Sequence, residues 1–145
     1  MKLTGVELRR ISIPLVAPFR TSFGVETTRD ILLLRAVLDG QAEGWGECVA
    51  MSDPLYSSEY VDASVDVLKR FMLPKLFSLD HVDGAAVGPA LEPFKGHWMS
   101  KAVIETAVLD AELRSAGRSF ARELGATKGR VPVSYTHLTL PTSLR

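Results

Sequence analysis

The pair Asp39-Gly40 separates two runs of β-forming residues, RDILLLRAVLDG and QAEGWGECVAM. An Asp-Gly pair favours a tight hairpin turn because both positions tolerate a positive φ. The chain must therefore reverse here, with the second run returning antiparallel to the first. No longer-range information is needed to predict this hairpin.

A further strand is predicted before this hairpin, because apolar and polar residues alternate over the first fifteen positions. The apolar face changes between Leu8 and Ile11, which predicts an irregularity in pairing near Arg9 or Arg10. Pro14 is expected to end the regular pairing because it has no backbone N–H. Together the three runs predict a three-stranded antiparallel meander over roughly the first fifty residues.

The segment APFRTSFGVETT is predicted to connect strands one and two. Long connections inside a compact domain are either disordered or functional. Phe19, Phe23 and Gly24 favour a functional loop over disorder.

Helical periodicity begins after the segment SDPLYSS and is carried by Val61, Val65, Leu68 and Met72. Ser57 or Ser58 is the predicted N-cap, Glu59 falls in the first turn, and Pro74 is expected to stop the helix.

Two further helical segments follow. A short one between Asp83 and Leu91 is expected to be interrupted by Gly88-Pro89. The strongest helix is SKAVIETAVLDAELRSAG, which is rich in helix formers and ends at Gly117. One or two short turns are expected in SFARELG. A sheet followed by helices indicates an α+β fold.

The totals exclude several function classes. Seventeen basic and seventeen acidic residues among 145 give a formal net charge of zero, so no global field favours nucleic acid or an anionic membrane. The single cysteine, Cys48, forms no internal disulfide, and it combines with three scattered histidines in no zinc-ligand spacing. The N-terminus lacks the apolar core of a signal peptide. We expect a soluble protein of the reducing cytoplasm.

Isolated polar residues offer weak catalytic candidates. Glu105, Asp110 and Glu112 are predicted to lie on a solvated or salt-bridged helix face. Cys48 is predicted to be a packed core thiol, and His81 and His97 to be surface or helix-end residues. A further pair, Gly44 and Gly46, is expected to allow close backbone packing within a strand rather than to hold a phosphate.

Two loops, PFRTSFG and MSDPLYSS, are the more informative features. Their apolar residues can supply one wall of a small-molecule pocket, and their polar residues can supply contacts at its rim. The apolar set is Phe19, Phe23, Met51 and Tyr56, and the polar set is Arg20, Ser22 and Ser57. From composition alone, a second interpretation stands equally: the aromatic rings plug the end of the domain's own core.

Several linked motifs resemble one known family: MKLTGVELRRISIPLVAPFRTSFG, RDILLLRAVLDG, EGWGECV, PLYSSEY, FKGH and AVLDAELRSAGRSFARELG. They are similar, in register from Met1 to about Pro132, to the N-terminal capping domain of enolase-superfamily enzymes. Within the superfamily the resemblance is to the o-succinylbenzoate synthase and N-succinylamino acid (N-acylamino acid) racemase family of the muconate-lactonizing subgroup.

The resemblance implies a domain that lies over the mouth of a (β/α) barrel. In such enzymes a barrel lysine removes the proton α to a carboxylate, and a divalent metal, usually Mg²⁺ held by three barrel carboxylates, stabilises the enediolate. Loss of a hydroxyl makes the enzyme a carbon–oxygen lyase of menaquinone biosynthesis, and reprotonation makes it a racemase. The positions that match substrate-binding loops are Phe19, Ser22, Phe23, Met51 and Tyr56.

The family's catalytic lysines and metal ligands have no counterpart in this chain. Lys95, Lys101 and Lys128 do not match the lysines, and Glu47 is not a ligand. We therefore expect no catalytic residue and no bound metal in this chain, and no activity from it alone. Its expected partners are a carboxylate substrate and its own barrel, with no nucleic acid or membrane, and the parent is expected to be a homo-oligomer.

The predicted domain boundaries follow from the resemblance. Residues 1–128 form the capping domain and residues 129–132 the entry to the barrel. Residues 133–145, which begin VSYTHLTLPT, resemble a translated sequencing-library adapter and are not expected to be native. Two alternatives remain open: another enzyme of the subgroup, such as a dipeptide epimerase or a cycloisomerase, and a stand-alone binding module without catalysis.

Overall fold

The computed structural model describes residues 1–130, and the predicted adapter-derived segment lies outside the described residues. Three strands, β1 (Leu3–Thr21), β2 (Gly24–Leu38) and β3 (Glu43–Cys48), form one antiparallel sheet in the order β1-β2-β3. The predicted α+β fold with a three-stranded meander is confirmed. A short 3₁₀ turn, Asp39–Gln41, joins β2 to β3, and Gly40 takes a positive φ of 78° there.

The predicted long connection between strands one and two is wrong. Pairing is regular up to Pro14↔Thr28, is interrupted, and resumes at Phe19↔Glu26, so that only Ser22 and Phe23 lie between the two strands. Pro14 is tolerated because β1 is an edge strand, where a missing N–H does not break a second ladder.

The predicted irregularity near Arg9 or Arg10 is also wrong. Residues 5–14 pair with β2 without a shift, and the two irregularities lie between Leu3 and Gly5 and between Pro14 and Phe19. The apolar pattern changes face because the outer face of the sheet also carries isoleucines, with Ile11 directly opposite Ile31. Both side chains are half-buried.

Helices cover the inner face of the sheet and its far end. They are α1 (Val61–Val67), a π-helical turn (Leu68–Met72), α2 (Leu73–Phe77), α3 (Gly84–Leu91), α4 (Trp98–Ser115) and α5 (Phe120–Glu123). Among residues 1–130, no helix is both long and apolar enough to cross a bilayer.

Three helix predictions need correction. Pro74 does not stop the first helical run, because the π-helical turn hydrogen-bonds Leu73 N–H to the Leu68 carbonyl and leaves Pro74 in the first turn of α2. Neither Ser57 nor Ser58 caps α1, which begins after Tyr60 without a side-chain cap. Helix α3 continues through Gly88-Pro89, since the Asp83 side chain caps its start.

The core lies between β2 and α4. Leu32, Leu34, Ala36 and Leu38 of β2 are buried, and they face a layer that includes Val103, Ala107 and Ala111 of α4. Helix α4 ends as predicted, with Gly117 at a φ of 61° and Arg118 N–H donating to the Leu113 carbonyl.

The glycines of β3 set how closely α4 approaches the sheet. A Cβ built on Gly44 would lie 2.1 Å from the Ala107 carbonyl oxygen, and one on Gly46 would lie 2.2 Å from the Val103 carbonyl oxygen. Close backbone packing at both positions is therefore confirmed. The residue pattern G-x-G serves helix-on-sheet contact here.

Candidate functional site

An apolar cleft of about 900 Å³ opens beside the tip of the β1–β2 hairpin. Its walls come from the irregular part of β1, the start of β2, the segment after β3 and the first turn of α4. The lining residues are Leu15, Val16, Ala17, Phe19, Thr21, Phe23, Glu26, Arg29, Val49, Met51, Tyr56 and Met99. The cleft has the size and the apolar character of a small-molecule site.

The structure brings four of the five predicted substrate-binding residues to this cleft: Phe19, Phe23, Met51 and Tyr56. The rings of Phe23 and Tyr56 face each other across it, with centroids 6.3 Å apart. Ser22 lies at the exposed hairpin turn and is not in the lining.

These rings do not plug the domain's own core. Phe19 is 59% exposed and Tyr56 is 72% exposed, whereas the core side chains of β2 are almost fully buried. Val16, in the interrupted part of β1, is also fully exposed. Large apolar side chains clustered in the open mark a surface that binds something.

The loop that carries Met51 and Tyr56 is closed at its base. Met51 forms a parallel bridge with Tyr60, and Val61 N–H donates to the Met51 carbonyl at 2.9 Å. Ser57 Oγ bonds to the backbone of Glu59. One wall of the cleft is thus a compact loop with fixed ends.

Glu59 ties this loop to α4. Its carboxylate accepts hydrogen bonds from the N–H groups of Met99 and Ser100 at 3.1 Å, and from Ser100 Oγ at 3.3 Å. These donors belong to the first turn of α4, where N–H groups lack intrahelical partners. Glu59 therefore caps a helix forty residues away, not the helix that follows it. This contact places Met99 in the cleft wall.

Arg10 fixes the hairpin to α1. Its guanidinium bonds to both carboxylate oxygens of Asp30 and to Asp62. The hydrogen bond from Arg10 holds the pKa of Asp30 below its ordinary value. The hairpin that carries Phe19 and Phe23 is thus connected by charge to the helical layer.

The other candidate polar residues serve the fold. Asp110 accepts from Trp45 N–H and from Arg114, and Glu112 accepts from Gly84 N–H and Arg118, so the predicted salt-bridged face is confirmed. Buried Cys48 is the predicted core thiol, and His97 lies at the start of α4 as predicted. His81, also as predicted, lies at the surface.

No group of three His, Cys, Asp or Glu side chains within residues 1–130 is arranged to hold a metal ion. A Mg²⁺ ion needs several oxygen ligands in near-octahedral geometry. The described residues therefore do not offer a site for the metal that the resemblance implies.

Sequence reasoning missed part of the cleft. The run Leu15, Val16 and Ala17 was hidden inside a predicted loop, although its apolar character after Pro14 was a signal. Arg29 was counted only as the start of a strand. Met99 carries no local signal at all, because only the long-range Glu59 contact brings it here.

Comparison with known proteins supports the architecture. No family model matches the chain. A crystal structure of an enolase-superfamily member from Listeria innocua superposes with a TM-score of 0.84 at 30% identity, covering 88% of this chain and 34% of that one. The chain belongs to the enolase superfamily. Its sheet and helices match the superfamily's N-terminal capping domain, as expected.

The sequence relatives narrow the resemblance within the superfamily. The chain is 57% identical over 132 residues to an N-succinylamino acid racemase from an Amycolatopsis species, and 35% identical over 137 residues to an o-succinylbenzoate synthase from Geobacillus kaustophilus. The alignments cover 91% and 94% of this chain. The chain spans about a third of each relative, 36% in both cases. The stated resemblance to this family of enolase-superfamily enzymes is confirmed.

Proposed function

We propose that this domain is the lid of a metal-dependent enzyme that removes the proton α to a carboxylate, acting as an o-succinylbenzoate synthase, an N-succinylamino acid racemase, or both. The carrying observation is the cleft, in which two separate loops present exposed rings of Phe19, Phe23 and Tyr56 to one space. The dehydration reaction would serve menaquinone biosynthesis. Relatives with these two activity names support the assignment.

In this proposal the apolar wall, with Phe19 at the hairpin and Tyr56 and Met51 on the closed loop, covers the part of the substrate farthest from the reacting carbon. Covering the substrate removes water from the site and strengthens the electrostatic interactions within it. Ser22, at the exposed turn, would contact substrate only when the hairpin closes. The lid shapes the pocket and carries out no proton transfer itself.

The catalytic groups are assigned to a barrel that follows this domain in the whole enzyme. Mg²⁺ and the lysine bases belong to that barrel in the proposal, and the described residues hold no donor set for the metal. The 145-residue chain alone is accordingly predicted to catalyse neither dehydration nor α-proton exchange. The domain limits follow the same scheme, with the lid over residues 1–128.

The test joins this lid to a working barrel. Residues 1–130 replace the corresponding N-terminal segment of the Amycolatopsis racemase, and exchange of the α-proton of an N-succinylamino acid is followed by NMR in D₂O with Mg²⁺. We expect exchange by the chimera and none by the 145-residue chain. A soluble, folded chimera without exchange contradicts the proposal.

A pair of phenylalanines supplies the matched control. Phe19 lies in the cleft and Phe77 lies on α2 outside it, and both are exposed, by 59% and 41%. We expect Phe19→Ala to raise the KM of the chimera by about tenfold, since an apolar side chain of this size contributes about 1.5–3 kcal/mol when covered. Phe77→Ala should leave the KM unchanged. Equal effects of the two substitutions would favour a cleft without a substrate role.

A stand-alone binding module would use the same cleft without a barrel. Another enzyme of the subgroup would also fit, and one relative, 27% identical, is named a chloromuconate cycloisomerase. Exchange by the chimera excludes the binding module. Substrate comparison in the chimera separates the enzyme alternatives.

A further inference from the structure

The arginines of the sheet fall into two groups. Three of them, Arg9, Arg10 and Arg35, form ion pairs with carboxylates on the same sheet. Arg29 is half-buried, yet among residues 1–130 it makes neither an ion pair nor a hydrogen bond through its side chain. Desolvating a guanidinium without a partner is unfavourable, so such a residue marks a position where an anion is expected.

The position of Arg29 adds to this argument. It lies on β2 opposite Ile13 and lines the cleft together with Val49, Met51 and Tyr56. It is the only cationic side chain in a lining that is otherwise almost entirely apolar. An arginine in apolar surroundings binds a carboxylate more strongly than one on an open surface, because water competes less for both charges.

One carboxylate in the lining needs consideration. Glu26 also borders the cleft, but it pairs across the strands with Phe19 and forms no ion pair with Arg29 within residues 1–130. The two residues are three positions apart on an extended strand, so their side chains leave opposite faces of β2. Arg29 therefore remains available to an external anion.

We propose that Arg29 binds the terminal carboxylate of an acyl chain held in the cleft, and so determines specificity for dicarboxylic acyl groups over neutral ones. This inference rests on the proposed function, since the relatives' names both contain a succinyl group, which ends in a carboxylate. The planar guanidinium can donate two parallel hydrogen bonds to that group. The apolar wall then covers the methylene units between the carboxylate and the reacting end.

The experiment uses the full 145-residue chain and two probes. N-succinylglycine carries the terminal carboxylate, and its succinyl methyl ester does not. Binding is measured by NMR titration at fixed ionic strength. We expect the acid to bind about tenfold more tightly than the ester, as a hydrogen-bonded charge pair predicts. Equal binding of acid and ester overturns the proposal, and so does absence of binding by both probes.

Three variants identify the residue responsible. Arg29→Met is expected to remove the preference for the acid, and Arg29→Lys to retain part of it. Arg20→Met is the matched control, because Arg20 is on the same hairpin, carries the same charge and does not line the cleft. An NMR spectrum of each variant confirms that it is folded. Loss of the preference in Arg20→Met, or its survival in Arg29→Met, overturns the proposal.

The chimera separates this inference from the proposed function. An active chimera whose KM ratio for N-succinyl over N-propionyl substrates is unchanged by Arg29→Met refutes the role of Arg29 and leaves the enzyme assignment standing. An inactive chimera, with the acid preference intact in the 145-residue chain, refutes the enzyme assignment instead.

Discussion

Substitution of Gly44 by alanine probes the contact on which the fold depends most directly. The new Cβ would lie 2.1 Å from the Ala107 carbonyl oxygen and 2.2 Å from the Ala111 backbone nitrogen. Cβ atoms essentially never approach other heavy atoms closer than 3.0 Å, so α4 must move by at least 0.9 Å, the difference between 3.0 and 2.1 Å. Both clashing atoms are helix backbone and cannot rotate away.

The cost follows from the layer that this movement opens. Val103, Ala107 and Ala111 are fully buried against the sheet. A gap of this size forfeits about a quarter to a half of the dispersion energy of each contact, and overpacking alone costs about 1–3 kcal/mol. We expect Gly44→Ala to lower the free energy of unfolding by about 3 kcal/mol, which lowers the Tm by about 10 °C for a domain of this size.

The assay is urea denaturation followed by circular dichroism, with Gly5→Ala as the matched control. Gly5 is in β1 of the same sheet, and its Cβ would meet Val37 at an ordinary 3.6 Å. The control should change the free energy of unfolding by about 1 kcal/mol or less. Equal destabilisation of the two variants would refute the argument that the β3 glycines set the distance between helix and sheet.

Two further changes test the contacts that hold the cleft walls. Glu59→Ala should lower the free energy of unfolding by about 2–3 kcal/mol in urea denaturation, because three donors at the start of α4 lose a charged acceptor, and an equal loss in exposed, unpaired Glu105→Ala contradicts this. Asp30, whose pKa is lowered by Arg10, contributes stability that is complete above its unfolded pKa of about 4 and is lost as the pH falls through the folded pKa. Asp30→Asn should therefore flatten the decline of Tm below about pH 4, whereas exposed Asp53→Asn should not, and an unchanged decline in Asp30→Asn would contradict the role of the Arg10 contact.

The features predicted correctly from sequence are those set by local patterns. Asp39-Gly40 identifies the second hairpin, the composition of α4 identifies the longest helix, and Gly44 with Gly46 identifies close packing. Each depends on residues that are neighbours in the chain.

The errors involve interactions that local patterns do not contain. The first hairpin extends past Pro14 because residues 24–28 resume pairing with β1 and because β1 is an edge strand. Pro74 is accommodated by a π-helical turn. Glu59 was expected in the first turn of α1, but its partners Met99 and Ser100 lie forty positions away.

The same distinction applies to the cleft. Aromatic residues in two loops were sufficient to predict Phe19, Phe23, Met51 and Tyr56 as candidates. Arg29 was not predicted, because its significance depends on the ion pairs made by the other arginines and on the apolar surroundings that the fold creates. An unpaired arginine is visible only once the pairs are known.

The central claim, that this domain is the lid of a barrel enzyme, is tested most directly by a long-read sequence of the source DNA across codon 132. The account predicts that the reading frame continues into a barrel that contains a Lys-X-Lys strand and three spaced carboxylates. A native frame that encodes VSYTHLTLPTSLR and stops after Arg145 would contradict it.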